Sequence, residues 1–180
     1  MVDVRFVGSN AADEGRRRIQ TNRADHTPHE RVRYIMSNLE EILKLATPIN
    51  LQLRWSDQDP NRHVNNASIG TLFEEARIRA RSVWNADASP NTDEKVLVRA
   101  QNTTFDREVH YAADTTIWVW ISRIGRTSHV VSHLLIQDEV PCVHMEVTVV
   151  TIDANTGKPK VPKEEYRQQL EAHSGPGYSA

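Results

Sequence analysis

Residues 54–84 read RWSDQDPNRHVNNASIGTLFEEARIRARSVW and change character at Asn65. Before it, Asp57, Asp59, Asn61 and His63 stand in a polar run without apolar period. After it, Ile69, Leu72, Phe73, Ala76, Ala80, Val83 and Trp84 recur at helical spacing and form one stripe. Asn65 and Asn66 are both good helix caps, so the spacing predicts a long helix starting there. Glu75 and Arg79 stand four apart with the acid first, which suits a solvated face. The loop from Asn85 to Asp93, with Pro90, ends the helix.

Working outward, Ile49, Leu51, Leu53 and Trp55 alternate with polar residues and predict a half-buried strand. Upstream, Thr27-Pro28-His29-Glu30 carries a cap, a proline at the first helical position and a glutamate three residues after the cap. Val32, Ile35, Met36, Leu39, Ile42, Leu43 and Ala46 then follow helical spacing until Thr47-Pro48, so a first helix is expected over 27–47. Its stripe must cover its own sheet or a partner subunit. Residues 1–26 show no sustained period and read as a flexible arm.

Downstream, 95–111, 114–123, 128–138 and 140–152 are rich in Val, Ile, Thr and Trp and are broken by short turns. Connections this tight favour antiparallel hairpins, because parallel crossovers need a dozen or more residues. A Gly/Lys/Pro stretch leads to a short helix around Lys163–Ala172, and 173–180 is expected to be a disordered tail. The order helix, strand, long helix, four strands is an α+β layout, with an antiparallel sheet packed on the long helix in one domain over 27–172.

At 180 residues one domain with a real core fits better than two. A net charge of −2 gives no electrostatic footprint for nucleic acid or a membrane surface. Cys142 is the single cysteine, which excludes an internal disulfide and a cysteine-based zinc site. No apolar run reaches the ~20 residues needed to span a bilayer. The first residues lack the apolar core of a secretory signal, and acidic residues among the arginines argue against a presequence, so the cytoplasm is expected.

Asp57, Asp59, Asn61, His63, Asn65 and Asn66 form the densest group of reactive side chains, between a strand end and a helix start. Free N–H groups and the helix dipole there favour developing negative charge. A carboxylate beside such an end supplies what hydrolysis of an activated carbonyl needs, a base or nucleophile and a cradle for the oxyanion. Turn and cap roles account for the same residue types, and both readings stand at this level. His129 and His133 have metal-ligand spacing for a helix, but on a strand four residues span ~13 Å, too far for one ion. Cys142 and His144 would share a strand face, with Cys142 better read as a buried small hydrophobe than as a nucleophile. No serine-hydrolase elbow, phosphate loop or dinucleotide fingerprint occurs.

The stretch Arg54 to Asn66, followed by Phe73-Glu74-Glu75-Ala76-Arg77, resembles the signature of hotdog-fold thioesterases. It is similar to the 4-hydroxybenzoyl-CoA thioesterase-like group and to plant acyl-ACP thioesterases. Phe105 to Asp114 and Arg123 to Ser128 resemble the family's second strand and its Gly-and-Ser turn, so the likeness covers about residues 49–152. It implies a hotdog fold, a curved antiparallel sheet wrapped around a long central helix, here with an extra N-terminal helix. It also implies a homodimer or homotetramer whose site forms between subunits.

By the same resemblance, Asp59 matches the carboxylate that attacks the thioester or activates water. The backbone N–H near Asn66 matches the group that polarises the carbonyl, and Asp57 orients the loop. Asn61 and His63 match the Asn and His of the plant motif, and Glu108 falls where those enzymes carry a further acid. Arg62 stands where the bacterial motif usually has glycine, Glu108 where proline is common, and Ala113 where glycine is common.

The implied activity is hydrolysis of an acyl-CoA or acyl-carrier thioester without metal or redox cofactor, coenzyme A being part of the substrate. The acyl chain would lie beside the central helix near Phe73 or Trp84, and Arg126 and Ser128 would contact the coenzyme. The rival readings are an acyl-ACP thioesterase, a non-catalytic acyl-CoA-binding protein, and a dehydratase on the same fold. The usual dehydratase signature on the central helix is not visible.

Overall fold

The structure, a computed structural model, describes residues 38–84, 93–111 and 113–178. The expected arm and the start of the first helix lie outside them. The end of that helix, α1, is helical over residues 38–45. Strand β1 (Thr47–Asn50) follows directly. The strand expected over Ile49–Trp55 is therefore shorter and earlier. Residues Trp55–Asp57 form a 3-10 turn, in which the Arg54 N–H donates to Asp57 Oδ2 at 2.7 Å. Trp55 is exposed, so its place in the apolar alternation was coincidental.

The long helix α2 runs Asn66–Val83, and its cap Asn65 accepts the Ala67 N–H through its side chain. Ile69, Phe73, Ala76 and Ala80 are buried as the stripe requires, whereas Val83 is exposed and Arg77 is buried instead. Strands β2 (Glu94–Phe105), β3 (Thr115–Ile124), β4 (Ser128–Gln137) and β5 (Val140–Asp153) complete the sheet, and α3 spans Glu164–Ala172. The sheet order is β1-β3-β4-β5-β2, antiparallel throughout. Residues 106–111 leave the expected second strand at Phe105 and turn back towards α2.

Both faces of the sheet centre are covered, which explains why nine consecutive β4 residues, His129–Gln137, are buried. The inner face sets Ile117, Val119, Val131, Leu135 and Val147 against α2. The outer face places Trp120, Leu134 and Ile136 against Ile42 and Ala46 of the first helix and its end. Of the two roles expected for this helix, its described end therefore covers its own sheet.

The tail is a correction. Instead of leaving the fold at His173, it lies along β3. The Ile121 N–H donates to the His173 carbonyl and the Gly175 N–H to the Ile121 carbonyl, both at 2.9 Å. Trp120 Nε1 donates to the Pro176 carbonyl at 2.8 Å. A buried indole N–H needs an acceptor, and an otherwise polar segment is held because it supplies one.

Candidate active site

The loop before α2 is built around Asp59. Its Oδ1 accepts the Asn61 N–H at 2.8 Å and the His63 N–H at 3.4 Å. Its own N–H donates to the His63 carbonyl, and the Arg62 N–H returns to the Asp59 carbonyl. Arg62 closes this turn with φ of 67°, a left-handed conformation that glycine adopts freely and a branched side chain resists. The turn stays tight although the side chain there is arginine. Among the described residues no donor meets Asp59 Oδ2, which leaves one carboxylate oxygen without a hydrogen bond.

The loop is tied at both ends. The Asn65 N–H donates to the Asp57 carbonyl at 2.8 Å, and the Val64 N–H to the Val109 carbonyl at 2.7 Å. The second bond draws residues 106–111 across the start of α2. These residues reach that position through a β-bulge in β5, where Cys142 is left out of the β4 pairing. The Cys142 carbonyl accepts both the Asp106 and Arg107 N–H groups. Cys142 itself is buried in the inner core, and burial pushes its thiol pKa up. The bulge also breaks the expected shared face with His144, which instead packs on Tyr178.

A cavity of about 350 Å3 results, and Asp59, His63, Asn66, Arg107 and Glu108 all line it. His63 Nε2 is 3.0 Å from Glu108 Oε2, and His110 Nε2 is 3.8 Å from the same oxygen. The two imidazoles meet edge to face at 5.3 Å. At the start of α2, the Ala67 N–H is taken by the Asn65 side chain and the Ile69 N–H by the Asn65 carbonyl. The Asn66 N–H has no acceptor among the described residues, and Asn66 is one of the residues that line the cavity. The site therefore holds a free carboxylate oxygen, a free amide donor at a helix start and an imidazole–carboxylate pair.

The remaining candidates lie elsewhere. Asn61 sits at the exposed loop tip and contributes its backbone N–H. Arg126 and Ser128 form the turn between β3 and β4, at the far end of strands whose other end faces the site. Ser128 and Gln137, at the two ends of β4, are nine residue steps or roughly 30 Å apart along the strand. Phe73 is a packed core residue, whereas the buried Trp84, whose Nε1 donates to Thr47 Oγ1 at 2.7 Å, also lines a cavity beside the C-terminal half of α2.

Sequence reasoning missed Gln137. Its buried amide accepts the His110 N–H at 2.8 Å and donates to the His110 carbonyl at 2.8 Å and to Thr115 Oγ1 at 2.9 Å. It clamps the segment that carries Glu108 and His110. Arg107 and His110 carry no local signal in the sequence, because the bulge and the Gln137 clamp bring them to the loop from far along the chain.

The thioesterase-like superfamily matches residues 53–170 in sequence, which includes the loop, α2, every strand after it and most of α3. The chain belongs to this superfamily. Among solved structures, a predicted thioesterase from Bacillus stearothermophilus superposes with a TM-score of 0.66 at 23% identity, over 73% of this chain and 98% of that one. A thioesterase from Thermus thermophilus, complexed with coenzyme A and Zn, gives 0.59 at 23% identity over 69% and 92%. The 12:0-ACP thioesterase from Umbellularia californica gives 0.68 at 12% identity over 76% and 56%. At these identities the likeness is one of fold, and the fold of this superfamily member is the hotdog. No curated protein matches the chain in sequence.

Proposed function

We propose that this superfamily member hydrolyses an acyl thioester, with coenzyme A or an acyl carrier as leaving group. The observation that carries the reading is the shared cavity lining of Asp59 and Asn66. The Asp59 carboxylate has one oxygen free, and the Asn66 amide donor is free. In the reaction, Asp59 Oδ2 takes a proton from water as the water oxygen attacks the carbonyl carbon. The oxyanion gathers on the Asn66 N–H, where the helix dipole adds to the hydrogen bond. The intermediate collapses with cleavage of the C–S bond, and the thiolate leaves to take up a proton. Direct attack by Asp59 Oδ2 on the carbonyl carbon uses the same two groups and passes through a mixed anhydride. His63, held by Glu108, orients the water. Carboxylate, amide donor and water suffice, so the scheme calls on neither metal nor redox cofactor.

Arg107 is the cation at the cavity and serves the coenzyme phosphates within one chain. Arg126 and Ser128 do not line this cavity, and they would meet the same ligand from a second copy, in a homodimer or homotetramer. The long edge strand β2 supports assembly, since its outer side is unpaired among the described residues and exposes Leu97, Val98 and Phe105.

The test is thiol release from short, long and aromatic acyl-CoAs and from acyl-carrier thioesters. Wild type should turn over some of the panel. Asp59→Asn should lose on the order of a hundredfold or more in kcat while staying folded, in line with removal of a general base. A folded variant with full activity would remove Asp59 from the mechanism. Binding of acyl-CoA without turnover of anything on the panel would favour a carrier or binding protein.

A further inference from the structure

A second cavity, of about 220 Å3, opens between the C-terminal half of α2, β2 and α3. It shares no lining residue with the Asp59 cavity. Arg77, in its wall, follows Asn66 by about three turns, or roughly 16 Å along the helix axis. Its walls are largely aliphatic, with Val98, Ile121, Val131 and Val149 facing the space.

The buried guanidinium makes this more than a packing gap. Arg77 is only 7% exposed, and its Nη1 is buried with no hydrogen-bond partner among the described residues. Its Nη2 lies 3.6 Å from Glu74 Oε1 at the solvated mouth, so one side of the planar fork is met and the other is open. Burial pulls the Arg77 pKa down, the mark of a charge short of compensation. Tyr166 adds a hydroxyl to the lining, 3.5 Å from Nε2 of the buried His129. His129 is pushed down to about 4, mainly by burial and secondly by Arg81, and is therefore a neutral imidazole at neutral pH.

An open guanidinium donor, a phenol and aliphatic walls together select a ligand with one anionic end and an apolar body. A planar carboxylate fits the open side of the fork, and Arg81, a second guanidinium in the lining, adds to the preference for an anionic end. The volume lies below the roughly 300–1,000 Å3 of pockets for drug-sized ligands, so the apolar body is small. We infer that this cavity binds a small aliphatic monocarboxylate, its carboxylate on Arg77 Nη1 and its chain among the aliphatic residues. The inference does not depend on hydrolysis at Asp59, although a thioesterase would release acids of this class as products.

The experiment is calorimetric titration of the full-length protein with hexanoate and with its uncharged counterpart hexanamide. Hexanoate should bind one per chain, and hexanamide at least tenfold more weakly. Arg77→Met should raise the hexanoate Kd at least tenfold. Val98→Trp, which narrows the mouth from the β2 edge, should do the same if Arg77→Met fails to fold, with its oligomeric state matched to wild type because the same edge is offered for assembly. Asp59→Asn should leave the Kd unchanged. The inference is overturned by no binding to wild type, by equal binding of the amide, or by binding indifferent to both cavity variants. Loss of binding in Asp59→Asn would also overturn it, by placing the acid in the Asp59 cavity.

Discussion

Single residues set the accuracy of the loop. Asp59 spends one oxygen on two backbone N–H groups, which fixes the direction of the other. Arg62 holds the glycine-like conformation that lets those bonds close. In that region an ordinary side chain costs about 1–2 kcal/mol, and a β-branched one fits worst. Arg62→Val should therefore lower the urea midpoint by the equivalent of about 1 kcal/mol relative to Arg62→Gly. Equal midpoints for the two variants would mean that the turn does not hold this conformation in solution.

At the scale of elements, the site is assembled by a clamp and a bulge. Gln137 closes the end of β4 and binds both backbone groups of His110, while the Cys142 bulge turns the chain after β2. Loss of a buried multiply bonded amide costs about 1–3 kcal/mol. Gln137→Leu is expected to lose stability on that order, and to lower kcat at least tenfold with a smaller change in KM. Gln137→Glu retains the acceptor for the His110 N–H and should recover part of the rate. A stability loss with unchanged kcat would restrict Gln137 to a structural role.

For the whole molecule, covering the sheet on both faces buries groups that titrate. His129 is pushed down to about 4 and His133 to about 3, burial being the leading cause for each. In the unfolded chain both lie near 6.5, so the unfolded state takes up protons first. Their contribution to stability is therefore complete above about pH 6.5 and is lost as pH falls towards 4 and then 3. The slope reaches at most about 1.4 kcal/mol per pH unit for each histidine. Urea midpoints measured between pH 7 and pH 4 should fall steeply for wild type and less steeply for the double variant His129→Gln/His133→Leu. Parallel profiles would show that these histidines are not the groups that charge on acid unfolding.

Period and punctuation in the sequence determined the long helix with its Asn65 cap, the run of antiparallel strands and the candidate loop. Each is a local matter, fixed by side-chain spacing and by where backbone donors run out. The resemblance to thioesterases then singled out Asp59, His63 and Asn66 within about ten residues. Tertiary structure decided the rest, because each remaining feature joins residues distant in the chain. The Cys142 bulge brought Glu108 to His63 across 45 positions. Trp120 found an acceptor in a tail that sequence alone had left disordered. Arg77, outside the apolar stripe of α2, is buried beside a cavity that residues of β2 and α3 also line. A helical period tells which face is apolar, but not how wide a face the sheet and its neighbours will cover.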